Sequence, residues 1–294
     1  MPVSQEMQAH LESGATTMCR AWAVTRRDGM VLGFTDHDVD LSFDGIAFRA
    51  NSGLTARALS QTTGLSVDNT EAVGALSDAA VTEPDILAGR FDGATVRAWL
   101  VNWADPSERV LQFNGALGEI TRAGGAFQAE LRGLSEILNQ PQGRVYQKPC
   151  AAILGDAQCR FDMRNIGYTT EIDVEIAEHA RVFRFAGLNG FAPRWFEAGR
   201  LVMLDGAAAG LTGVIKNDRY EAGERMVELW ESLRAEVAPG DRLRLEAGCD
   251  KRLETCRIKF SNVSNFRGFP HIPGEDWLIG YPMPGGANDG GSRQ

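Results

Sequence analysis

The chain has 294 residues with 30 basic against 39 acidic side chains, a net charge of −9, and its length suits about two domains. That balance argues against nucleic-acid binding as the main task, and 44% hydrophobic with 23% charged residues is ordinary for a globular protein. No run approaches the roughly 18 consecutive apolar residues of a membrane span, and the opening stretch lacks the apolar core of a signal peptide, which sets membrane, secreted-precursor, collagenous and disordered classes aside.

In chain order, Ser4–Ser13 predicts an amphipathic helix capped by Ser4. Strands are expected at 19–25, 31–35, 41–43 and 46–49, the first and last pairs divided by Asp28-Gly29 and Asp44-Gly45, the hairpin signature. Glu83–Gly89, begun by Thr82, predicts one or two helical turns. A second β block follows with strands at 95–102, 110–117 and 127–131, then a short helix at 134–139. Further strands are expected at 170–176, 182–185, 201–204, 211–217, 226–229 and 242–245. No alternation of helix and strand and no glycine-rich phosphate loop appears. The expected fold is therefore mainly β, two barrel-like domains with few short helices and a C-terminal cysteine-ligated region. The expected organisation is an N-terminal β-rich domain over 1–140, a junction over 141–165, a C-terminal β-rich domain over 166–281 and a flexible tail over 282–294.

Of the cysteines, Cys19 sits in an apolar strand and is expected in the core. Cys150 and Cys159 are nine positions apart, and Cys249 and Cys256 seven, in Gly/Pro-rich, charged, loop-like surroundings. With no secretory signal the thiols are expected reduced, so disulfides are disfavoured. Residues 142–164 carry four cations against two anions, and 249–267 five against two. Such loops are expected to lower thiol pKa values and to offset the negative charge of a four-thiolate site. Spacing alone leaves zinc and iron–sulfur both open, with a cluster slightly favoured because structural zinc loops are usually tighter. Four protein ligands would leave no coordination place for a substrate.

Other candidates read as ordinary structure. Asp36-His37-Asp38 with Asp40 looks like a metal cluster but suits a strand-end turn better. His10 and His179 are expected at the surface. Trp195-Phe196 with Phe191 is either barrel core or a contact patch. No hydrolase motif is present, so the chain is expected not to be an enzyme.

The stretch Gly248-Cys249-Asp250-Lys251, Cys256, Phe260-Ser261-Asn262 and Asn265-Phe266-Arg267-Gly268-Phe269-Pro270-His271-Ile272-Pro273-Gly274, with Phe34-Thr35-Asp36-His37-Asp38 upstream, resembles a hub (distal baseplate or minor tail) protein family of gene transfer agents and long-tailed phages. The C-terminal part is similar to lambda-type minor tail-tip proteins. The resemblance implies a homotrimeric ring between the distal tail protein and the tail-tip or fibre protein, around a channel that DNA crosses without specific binding. It implies a virion-tail location, with assembly in the bacterial cytoplasm. It also implies a [4Fe–4S] cluster held by Cys150, Cys159, Cys249 and Cys256, which raises iron–sulfur above zinc. Asn262, Asn265 and His271 could hydrogen-bond around such a cluster, but the asparagines suit turn caps better. The alternative from another class is a cytosolic iron–sulfur or zinc redox protein.

Overall fold

The computed structural model describes residues 4–50, 69–73, 82–123, 126–133, 143 and 145–272. They form a mainly β protein with a sheet curled into half a barrel. The chain divides into two compact units, one of Met1–Gln142 with Ala207–Leu211 and Leu233–Val237, the other of Gly143–Gly206, Thr212–Ser232 and Ala238–Gln294. The expected helix at 134–139 and the tail at 282–294 lie outside the described residues.

In the first unit α1 (Gln5–Glu12) begins where Ser4 accepts the Met7 amide, which satisfies one of the orphan donors of the first turn. The strands are β1 (Met18–Thr25), β2 (Val31–Thr35), β3 (Leu41–Phe43), β4 (Ile46–Arg49), β5 (Asn69–Val73), β6 (Thr95–Asn102), β7 (Arg109–Ala123) and β8 (Ala126–Gly133), with α2 (Glu83–Leu87) capped by Thr82. They make an eight-stranded sheet in the order β3-β4-β2-β1-β6-β7-β8-β5. β2 and β4 pair in parallel, and the other neighbours antiparallel. The central strand β1 is buried on both faces, as its apolar run requires. Trp22 and Val24 enter one core with Phe34, Phe91 and Val96, while Cys19, Ala21 and Ala23 enter another with Phe43, Phe48 and Trp99. Cys19 is thus core, as expected, and burial pushes its thiol up to about 11.

The second unit holds β9 (Thr169–Asp173), β10 (Ile176–Glu178), β11 (Val182–Ala186), β12 (Arg200–Met203), β13 (Thr212–Glu221), β14 (Glu224–Leu229), β15 (Arg242–Glu246) and the short helix α3 (Leu253–Ile258). Its seven-stranded sheet runs β10-β11-β14-β13-β12-β15-β9. The strand expected over 170–176 is two, because β9 pairs with β15 as far as Asp173 while β10, from Ile176, pairs with β11. Phe183, Phe185, Leu201, Ile215, Val227, Leu229, Leu243 and Leu245 fill the core from alternate positions. Inside it Arg225 and Asp218 are both fully buried and paired at 2.6 Å. Arg225 also donates to the carbonyls of Leu188 and Ala192, and Asp218 accepts the Phe196 amide, so the pair fixes the 188–196 loop onto the sheet. The question over Trp195-Phe196 is answered by burial: Phe196 is fully buried, and Trp195 half-buried.

Candidate functional site: four thiols around one cavity

The first cysteine loop is shaped by Asp156. Its carboxylate accepts the amides of Ile153, Gln158 and Cys159, curling residues 153–159 around one side chain. Those amide bonds, that of Cys159 foremost, hold the carboxyl below the usual range. Cys159 at the end of this curl and Cys150 just before it both line one cavity.

The second pair rides on a tight turn and a helix. After β15 the chain passes Gly248, whose backbone packs so closely on residues 195–199 that a Cβ there would lie 1.6 Å from the Glu197 carbonyl oxygen. Only glycine fits this approach. The Gly248 amide bonds the Trp195 carbonyl at 2.9 Å, and Lys251, at φ 66°, turns the chain towards α3. Cys256 therefore lies on a helix and is buried, where the sequence suggested a loop.

Three segments lock together around the cysteines through bonds that need no metal. The Cys150 amide donates to the Lys251 carbonyl at 2.8 Å, the Ala151 amide to the Arg267 carbonyl at 3.3 Å and the Phe269 amide to the Gln147 carbonyl at 2.9 Å. Lys251 Nζ reaches the Ala152 carbonyl. Behind them Phe161, Tyr168 and Phe260 form a ring cluster, and the Tyr168 hydroxyl donates to the Lys259 carbonyl at 2.6 Å. Lys259 Nζ donates to the carbonyls of Trp195 and Gly248 while lying 4.3 Å from the Trp195 ring centre, and burial pulls it down to about 8.

Cys150, Cys159, Cys249 and Cys256 all line one small cavity of about 20 Å³. Leu154, Phe260 and Phe266 supply apolar wall, and Lys251 and Arg252 supply cations. Two sulfurs receive N–H groups, Cys150 Sγ from the Arg267 amide at 3.3 Å and Cys159 Sγ from Asn262 Nδ2 at 3.5 Å. Among the described residues no group of three or more His, Cys, Asp or Glu side chains is set to hold a single metal ion. Soft sulfur donors of this number suit thiophilic metals and iron–sulfur groups.

The expected lowering of the thiol pKa values by the basic loops fails for two of the four. Burial pushes Cys249 up, outweighing the nearby Lys251. It pushes Cys256 up to about 11, with charge on Cys249, Cys150 and Cys159 acting in the same direction. Net window charge counted cations that point elsewhere, including Lys259, whose ammonium is spent on carbonyls.

The remaining candidates stay outside the cavity. Asp36 accepts the Arg20 amide and Asp40 the Ala50 amide, 16 and 10 residues away rather than in the Asx turns expected, and only His37, whose Nδ1 accepts the Val39 amide, bonds within the turn. His179 and His271 are exposed, whereas His10 is half-buried and fastens Thr17 through its backbone amide. Asn262 and Asn265, read as turn caps, line the cavity.

Residues 4–162 match the family model of the baseplate hub protein N-terminal attachment domain, and residues 194–276 match that of the phage conserved hypothetical protein BR0599. The first match contains Cys150 and Cys159, and the second Cys249 and Cys256. A chain in a solved structure of the virion of a native gene transfer agent particle is 60% identical, with a TM-score of 0.90 over 98% of this chain and 99% of that one. No curated protein matches the chain.

Proposed function

The chain belongs to the baseplate hub family, and from that membership we propose that it is a structural component of the tail of a gene transfer agent-like particle. The observation that carries this reading is its likeness, along nearly the whole chain, to a component of a gene transfer agent virion. In this role it forms a homotrimeric ring at the tail tip. The ring joins the distal tail protein to the tail-tip or fibre protein and surrounds the channel for DNA. The net charge of −9 supports passage without adhesion, since phosphate and carboxylate repel. Assembly takes place in the bacterial cytoplasm, where thiols remain reduced.

Within the hub, Cys150, Cys159, Cys249 and Cys256 hold a [4Fe–4S] cluster with a structural role. The donor set, the apolar wall and the N–H groups at two sulfurs support that group over zinc. Burial raises the Cys249 and Cys256 thiols, so ligation as thiolates works against burial, releases protons and ties loading to the folded state. What the group supplies when bound is a covalent tie between segments about a hundred residues apart.

The assembly reading is tested by deleting the gene in a producing cell and imaging the particles. Tails that lack their distal tip, restored by the intact gene, are expected. Particles of normal form without the protein would overturn the reading. The ring is tested by native mass: three times the chain's 32.0 kDa is expected with its tail neighbours, and a persistent monomer in their presence contradicts it.

A further inference from the structure

We propose that Asn262 is a positioning residue that aims a hydrogen bond at the Cys159 sulfur, is locked in that orientation by Asn265, and so sets the reduction potential of the group the four thiols hold. The inference rests on the cluster reading above and adds a function for two residues outside the ligand set.

The orientation of the amide follows from its partners. Asn262 Nδ2 lies 2.7 Å from the Cys159 carbonyl oxygen, which can only accept, so the NH₂ end must face Cys159. The same nitrogen is 3.5 Å from Cys159 Sγ. At the other end Asn262 Oδ1 receives Asn265 Nδ2 at 2.7 Å. Reversing the Asn262 amide would set oxygen against the Cys159 carbonyl and nitrogen against the donor of Asn265.

The backbone is equally committed. The Asn262 amide donates to the Cys256 carbonyl at 3.0 Å, and the Asn265 amide to the Asn262 carbonyl at 3.1 Å. Asn262 is therefore anchored to the helix that carries one ligand while its side chain reaches another 103 residues away. A turn cap would need neither the sulfur nor the relay from Asn265. Donors at a ligand sulfur favour the more negatively charged, reduced state, which raises the potential.

The test compares the full chain, N262D and N265D, purified without oxygen and assayed for iron and sulfide. Each is then titrated with dithionite as the electron source and followed by absorbance and electron paramagnetic resonance. N262D puts an acceptor where the donor was, and N265D removes the lock without touching a cysteine. Both are expected to load iron and sulfide and to be reduced at a more negative potential, N265D by the smaller shift. Should N262D fail to load, N265D carries the comparison. Loaded variants with the potential of the unaltered chain would overturn the inference alone. An unaltered chain without iron and sulfide would overturn the cluster reading and the inference with it.

Discussion

Cys150 and Lys251 are joined by a backbone hydrogen bond of 2.8 Å that ties the first cysteine loop to the second without any metal. Lys251 doubles the link by sending its ammonium to the Ala152 carbonyl, 99 residues away in sequence. Ala152 is buried, so losing that donor leaves its carbonyl unsatisfied. Lys251→Met is expected to lower the stability of the metal-free chain by about 1.5–3 kcal/mol. Urea unfolding in the presence of a chelator checks this, and an unchanged midpoint would show that the loops do not depend on the ammonium.

Removing one charge of the Arg225–Asp218 pair leaves the other buried in the second unit. Both side chains are fully buried, and Arg225 additionally bonds the Leu188 and Ala192 carbonyls. Arg225→Met alone is expected to cost about 3–5 kcal/mol, because Asp218 is left buried and uncompensated. The double variant with Asp218→Asn should cost less than the sum of the two single changes. Strict additivity in a denaturant-based cycle would mean the pair is not coupled.

Glu228 gives the fold a pH dependence of defined sign. Hydrogen bonds from Asn217 and then Lys216 hold its carboxyl below the usual value. In the folded chain it stays ionised to lower pH than in the unfolded one. Its contribution is thus present above the unfolded value of about 4.3 and lost as pH falls through the folded one. Glu228→Gln should flatten the decline of stability in that acid range while leaving other contributions in place. Parallel curves for the two proteins would contradict the assignment.

Gly248 tests the close packing beside Cys249. Since a Cβ would overlap the Glu197 carbonyl, Gly248→Ala must displace backbone on one side or the other. A loss of about 4 kcal/mol or more is expected, at the far end of single substitutions. Gly190, with nothing within 4 Å of its notional Cβ, is the control, and Gly190→Ala should change stability by no more than about 0.5 kcal/mol. Equal thermal shifts for the two would refute the packing argument.

Most strands were legible because alternation and Asp-Gly turns are local signals, and α1 and α2 begin at the capping residues expected, Ser4 and Thr82. What escaped depended on distant partners. β7 runs on to Ala123 past Gly118, where the pattern suggested an end, because β8 pairs with it through a register shift between Leu117 and Ile120. β5 was not expected at all, and it exists as the partner of β8. At the site, the four cysteines could be singled out by their paired spacing. The bond from Asn262 to Cys159 could not, since a local turn cap explains an asparagine equally well until the loop 103 residues away is in place. The buried partnership of Arg225 with Asp218 was hidden for a related reason: seven residues apart across a hairpin, two charges look like surface.

The central claim is that Cys150, Cys159, Cys249 and Cys256 form one site for a cluster, and metal analysis of protein purified without oxygen tests it most directly. The account predicts a coloured protein with about four irons and four acid-labile sulfides per chain, both lost with Cys256→Ser. A colourless protein carrying one zinc per chain, or iron and sulfide undiminished in Cys256→Ser, would contradict it.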